Sequence, residues 1–155
     1  RPFRMIVYRI SSAEFSNDIS GTGAKRMGSR WNSKGVPLLY TSQHISLAVL
    51  EMLVNTNFKD YDIALELMYI NFPDQLPTAF IELKNLKQNW KEDPEYTRYI
   101  GDEFIKQKES LILRVPSAVI NEEHNYLANP LHPDFKKIRI SKTKSFWPDE
   151  RLFTI

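Results

Sequence analysis

The chain has 155 residues, 42% hydrophobic and 26% charged, the proportions of a globular protein with one core. It contains no cysteine, which excludes disulfides and thiolate zinc sites, and a formal net charge of +2 supplies no global attraction to nucleic acid. No apolar run approaches the roughly 20 residues of a membrane span, and no signal-peptide pattern opens the chain. A cytoplasmic protein that neither enters a membrane nor binds nucleic acid directly is expected. Met5 reads as the natural start, so one domain over 5–155 is expected, with residues 1–4 foreign to it.

In chain order, MIVYRI (5–10) is β-branched and aromatic and predicts a strand. Residues 11–35 read mostly as loop. VPLLYTS (36–42) predicts the next strand, and Ser42 reads as the N-cap of a helix whose apolar run covers 45–54. DIALELMYINFP (62–73) predicts a long strand ending at Pro73. Asp93 as N-cap and Pro94 at the first helical position predict a helix over 93–108, with Tyr96, Ile100 and Phe104 on one face. SLILRVPSAVI (110–120) predicts a strand in which Pro116 requires an edge or a bulge. NYLANPLHPDF (125–135) reads as a polar, proline-broken loop, with Asn129 initiating a turn before Pro130. FKKIRIS (135–141) alternates and predicts a half-buried strand; the aromatic tail SFWPDERLF reads as docking on the core. Strands without regular helical crossovers predict an α+β domain.

Of the five glycines, Gly21, Gly23, Gly28 and Gly35 lie within fifteen positions. Such a cluster is either an irregular loop or a backbone that approaches a ligand closely. It matches neither the dinucleotide fingerprint, lacking the third glycine, nor the P-loop, where Ser29-Arg30 replaces Lys-Ser/Thr. It does carry Lys25, Arg26 and Arg30, cations that suit a pyrophosphate because guanidinium groups bind phosphate oxygens in pairs. In the apolar stretch ISLAVLEMLV the one ionisable residue is Glu51. It is either part of a narrow solvent-facing stripe or a carboxylate at a pocket edge, able to bond a ribose hydroxyl or stabilise a sugar cation. Tyr40 ends the preceding strand, so a strand–turn–helix unit can bring both to one cleft. The histidines, His44, His124 and His132, have no metal-ligand spacing, and no metal is expected. Ser117 lies in RVPSAV without a nucleophile elbow and reads as a bulge or turn hydroxyl. The basic run of Lys136, Lys137, Arg139, Lys142 and Lys144 reads as a solvated strand face rather than a nucleic-acid site.

Taken in order, YRI (8–10), SGTGAKRMGSRWNSKGVPLLYTS (20–42), LAVLEMLV (47–54), LRVPSAVI (113–120), NYLANPLHPDF (125–135) and DERLF (149–153) resemble the RES domain, a family named for a recurring Arg, Glu and Ser. The resemblance spans nearly the whole chain. It puts those three residues at Arg30, Glu51 and Ser117, the active-site tyrosine at Tyr40 and the opening-strand arginine at Arg9. Two positions depart from the family pattern: Ser29 stands where a glycine is usual, and Glu150 where a proline is usual. The resemblance implies a fold similar to ADP-ribosyltransferases, with a split mixed or antiparallel sheet and flanking helices. It implies NAD⁺ as substrate, with no metal, and cleavage of the nicotinamide–ribose bond by a toxin that depletes NAD⁺ and arrests growth. The implied partner is an Xre-type antitoxin with a helix-turn-helix domain, which covers the active site in a hetero-oligomer.

The candidate catalytic residues are thus Arg30, Tyr40 and Glu51, and the candidate substrate-binding residues are Arg9, Lys25, Ser117 and Asn129. Two other readings stay open: a mono-ADP-ribosyltransferase that modifies one cellular protein, and a catalytically idle binding module.

Overall fold

The computed structural model describes residues 4–55 and 64–153. Seven strands form one mixed sheet: β1 (Arg4–Ser12), β2 (Leu39–Ser42), β3 (Leu65–Pro73), β4 (Thr78–Phe80), β5 (Ile112–Pro116), β6 (His124–Ala128) and β7 (Arg139–Phe146). Their spatial order is β4-β5-β6-β2-β1-β3-β7. Only β4 and β5 run parallel; every other pair is antiparallel. Three α-helices flank it: α1 (Thr22–Met27), α2 (Ile45–Asn55) and α3 (Pro94–Gln107). The fold is α+β, as the strand spacing predicts.

Two cores follow from strand alternation, which sends successive side chains to opposite faces. In β2, Leu39 joins Val7, Met68, Ile70 and Phe72 on one face. Its neighbours Leu38 and Tyr40 face Trp31, Trp90, Leu113 and Leu127 on the other, where α3 contributes Phe104 and Ile105. The α3 start is as expected: the Asp93 side chain accepts from the Tyr96 N–H at 3.2 Å, with Pro94 in the first turn.

The seam between β1 and β2 determines where function can sit. β1 pairs with β3 over its full length, but meets β2 only at Tyr8 opposite Ser42. The sheet therefore splits along this line, and the gap opens between residues of both strands.

Several expectations are corrected. Within 11–35 there is a short helix, α1, and a 3₁₀ turn at Ala13–Phe15. Ser42 is not a helix cap: it ends β2, and its hydroxyl donates to Asn125 Oδ1 at 2.9 Å. The segment 125–135 is not all loop, because β6 runs through the sheet interior between β5 and β2. The strand expected over 135–141 begins only at Arg139, after a 3₁₀ turn at Pro133–Lys137. Pro116 sits where no β4 residue runs alongside, so its missing N–H leaves no ladder bond unmade. Trp147 in the tail stays 72% exposed instead of docking. The first two residues of the predicted strand over 62–73 lie outside the described residues.

Candidate active site

A cleft of about 710 Å³ opens at the β1/β2 seam. β1 lines it with Tyr8, Arg9 and Ile10, β2 with Tyr40, Thr41 and Ser42, and α2 with Ala48, Glu51, Met52, Val54 and Asn55. The turn at Gly28–Trp31 closes one side.

That turn is built, not merely tolerated. Gly28 has φ +70°, a left-handed conformation, and a Cβ there would lie 3.1 Å from the Lys34 nitrogen. Ser29 N–H donates to Asn32 O at 3.0 Å, closing the turn. Asn32 is fully buried, and its Nδ2 donates to Ala24 O (2.8 Å) and Val36 O (2.9 Å). Its Oδ1 accepts from the Tyr40 hydroxyl at 2.6 Å, and that hydroxyl in turn accepts from the Trp31 N–H at 3.0 Å. Tyr40 thus fastens the turn to β2 through its oxygen, packs against the core of Trp31 and Trp90, and contributes to the cleft lining. Burial pushes its ionisation well above the ordinary value, and the Trp31 N–H pulls only partly the other way, so the phenol stays neutral.

The turn is also clamped onto α3. Thr97 Oγ1 donates to Arg30 O (2.5 Å), Arg98 Nε to Ser29 O (2.9 Å), and Asp102 accepts from Ser33 N–H (2.8 Å) and Oγ (2.5 Å). Gly101 makes this approach possible, because a Cβ there would overlap the Trp31 carbonyl. Arg30 projects from this clamp. Its Nη1 donates to Lys91 O at 3.0 Å, and its guanidinium lies 5.6 Å from the Trp90 ring centroid, a cation–π contact.

Across the cleft, Glu51 is held by neutral donors. Its Oε1 accepts from Ser117 Oγ at 2.7 Å and from Asn125 Nδ2 at 2.8 Å. Ser117 is fully buried and its Oγ accepts from the Val119 and Ile120 N–H groups, which fixes its direction. Asn125 is oriented by Ser42, so one chain runs Ser42 to Asn125 to Glu51. Neither partner neutralises the carboxylate, and its Oε2 has no hydrogen-bond partner among the described residues. Arg9 lines the cleft with its Nε buried and unpartnered, and burial lowers its pKa, opposed by Asp18.

The lining carries four cations, Arg9, Arg30, Lys91 and Arg98, against the single carboxylate of Glu51. None of the four is in an ion pair among the described residues. Such a cleft favours a ligand that is anionic along most of its length and develops positive charge at one end.

The structure thus brings Arg9, Arg30, Tyr40 and Glu51 to one cleft, with Ser117 directly behind Glu51. It does not bring Lys25 or Asn129. Lys25 is exposed on α1 and outside the lining. Asn129 is fully buried, its Nδ2 spent on Ile105 O (3.0 Å) and its Oδ1 on Leu131 N–H (2.9 Å), which makes it a brace between β6 and α3. Sequence reasoning missed Lys91, Arg98 and Asn125. They come from segments distant in sequence; Gly101, alone inside a helical pattern, is the signal that something approaches α3 closely. Among the described residues no group of three His, Asp or Glu side chains is placed to hold a metal ion.

Residues 6–150, which hold the split sheet and the cleft with its clamped carboxylate, match the RES domain, and the chain belongs to that family. Among its relatives, the Toxin Res of Pseudomonas putida is 37% identical over 96% of this chain and 100% of its own length. The Prs ADP-ribosylating toxin of a Sphingobium strain is 34% identical over 88% of each chain. The fold is similar to the Mycobacterium tuberculosis MbcT–MbcA toxin–antitoxin complex, with a TM-score of 0.77 at 18% identity over 94% of this chain and 85% of that one.

Proposed function

We propose that this protein is a RES toxin that cleaves NAD⁺ at the nicotinamide–ribose bond. The observation that carries the reading is Glu51: an un-neutralised carboxylate, fixed through one oxygen by Ser117 and Asn125, in the wall of a cleft otherwise lined by cations. Breaking the C1′–N bond releases nicotinamide as a neutral base and leaves positive charge on the ribose. A preorganised carboxylate stabilises that charge more in the transition state than in the ground state, which is what accelerates a reaction. Its free oxygen is the one available to the ribose. Ser117 acts as a positioning residue. Tyr40 offers its ring face to the nicotinamide or ribose, and Arg9 and Arg30 bind ribose or phosphate oxygens.

A second reading, transfer of ADP-ribose to a protein, is favoured by the relative named as an ADP-ribosylating toxin. The two share bond cleavage and differ in the acceptor. The proposed partner is an Xre-type antitoxin that covers the cleft, in keeping with the related fold having been solved in a toxin–antitoxin complex. Antitoxin-free protein incubated with NAD⁺, with and without phosphate and with cell extract, should release nicotinamide. ADP-ribose, its 1-phosphate or ADP-ribosylated protein identifies the acceptor. Intact NAD⁺ under all three conditions refutes the reading.

A further inference from the structure

We propose that Lys91 and Arg98, together with Arg30, form a diphosphate-binding subsite at the α3 end of the cleft. The inference rests on the NAD⁺ reading and extends it to residues from a part of the chain that carries no recognisable motif. All three residues line the cleft, and none is in an ion pair among the described residues.

Their geometry ties them into one unit. The Lys91 carbonyl accepts from Arg30 Nη1 at 3.0 Å, and the Lys91 ammonium lies 5.9 Å from the same Trp90 ring that Arg30 covers at 5.6 Å. Arg98 commits its Nε to Ser29 O at 2.9 Å, one residue before Arg30. No bond within the protein is made by the Nη groups of Arg98 among the described residues. Holding one nitrogen of a guanidinium in the protein fixes the plane of the other two. Three cations without an ion-pair partner among the described residues repel one another, and an anion that joins them relieves this. The 3.0 Å and 2.9 Å anchors fix the two guanidinium groups, and a diphosphate offers two neighbouring oxyanions to bridge them and the Lys91 ammonium. The carboxylate that handles the positive end, Glu51, stands on α2, so the cleft separates its charges in the sense of the substrate's own polarity.

The test uses Lys91→Gln and Arg98→Lys. The first keeps the Lys91 carbonyl under Arg30 and leaves the clamp intact; the second keeps a cation but loses both the fork and the Nε bond to Ser29 O. Each variant should raise KM for NAD⁺ by about 10-fold or more, the range expected for a lost charge-assisted hydrogen bond, with kcat nearly unchanged in Lys91→Gln. On nicotinamide riboside, which has no phosphate, Lys91→Gln and unaltered protein should behave alike, and Arg98→Lys should lose less than it loses on NAD⁺, because only the slackened clamp is felt there. An unchanged KM for NAD⁺, or an equal loss on the riboside in either variant, overturns the proposal. So does loss of a phosphate-stimulated rate alone, which would mean that the cluster binds free phosphate as an acceptor. Calorimetry with inorganic pyrophosphate and ADP-ribose separates this claim from the NAD⁺ reading. Binding that weakens in both variants upholds the subsite even if NAD⁺ is never cleaved; equal binding in all three proteins overturns it.

Discussion

Replacing Gly101 by alanine tests the clamp that aims Arg30. The added methyl would overlap the Trp31 carbonyl oxygen and lie 2.6 Å from its carbon and 3.2 Å from the Trp31 Cβ. A Cβ needs about 3.0 Å from an oxygen and would have only about half of that here, so the turn must retreat from α3 by roughly 1.5 Å. Overpacking of this kind costs about 1–3 kcal/mol, offset by up to about 1 kcal/mol because alanine is the better helix former. The bonds from Thr97 and Arg98 to the turn stretch together, since they share the approach. A net loss near 1–2 kcal/mol should lower Tm by about 2–8 °C in a domain of this size. The catalytic effect is larger, because a misplacement of about 1 Å is worth on the order of 10² in rate. The assay is NAD⁺ consumption alongside a thermal melt, with Gly23→Ala as control, since a Cβ at Gly23 meets nothing within 4 Å. A Gly101→Ala protein that melts and turns over like the unaltered one would show that the close approach does not position Arg30.

Other residues give separable outcomes. Glu51→Gln should lower kcat by about 10²–10³ with the fold retained, because the neutral amide cannot stabilise the ribose cation; a rate within twofold of the original removes Glu51 from the chemistry. Asn125→Asp puts a second carboxyl against Glu51 Oε1 (the present contact is 2.8 Å), and it can donate only while protonated. Activity should therefore survive at acidic pH and fall as pH rises and the shared proton leaves, a limb absent from the original pH profile. Tyr40→Phe leaves Asn32 Oδ1 and the Trp31 N–H without their hydroxyl partner and should cost about 1–3 kcal/mol in denaturant unfolding. Because the folded protein holds the Tyr40 proton more tightly than the unfolded chain, Tyr40 contributes its full stability below pH 10 and loses it as pH rises beyond that value. Tyr40→Phe should flatten this part of the alkaline unfolding curve.

What could be read from sequence follows the range of the interactions involved. Asp93-Pro94 marks the start of α3 because capping is settled within one turn. Ser42 misleads by the same local logic: its hydroxyl answers to Asn125, 83 positions away, not to the helix beside it. β6 is hidden because His124 and Asn125 do not look like strand formers, and their place in the sheet is set by β2 and β5 on either side. In the site, Arg30, Tyr40 and Glu51 lie close together in sequence and carry the family pattern, so they can be found there. Lys91 and Arg98 sit among ordinary surface-type residues, and only the docking of the turn on α3 makes them part of the cleft. Asn129 shows the opposite error, a recurrent-looking residue next to proline whose side chain is used up inside the fold.

The indole pair under Arg30 has a spectroscopic consequence. Trp31 and Trp90 are buried with ring centroids 5.9 Å apart, while the third tryptophan, Trp147, is 72% exposed. Intrinsic emission should thus contain a blue component from the pair and a red one from the tail. A guanidinium 5.6 Å from the Trp90 ring perturbs the blue component alone. Any ligand or antitoxin segment that draws Arg30 off the ring changes that component and leaves the red one still. With Trp147→Phe as background, the protein becomes its own optical sensor for occupancy of the cleft, readable without a substrate analogue and without turnover.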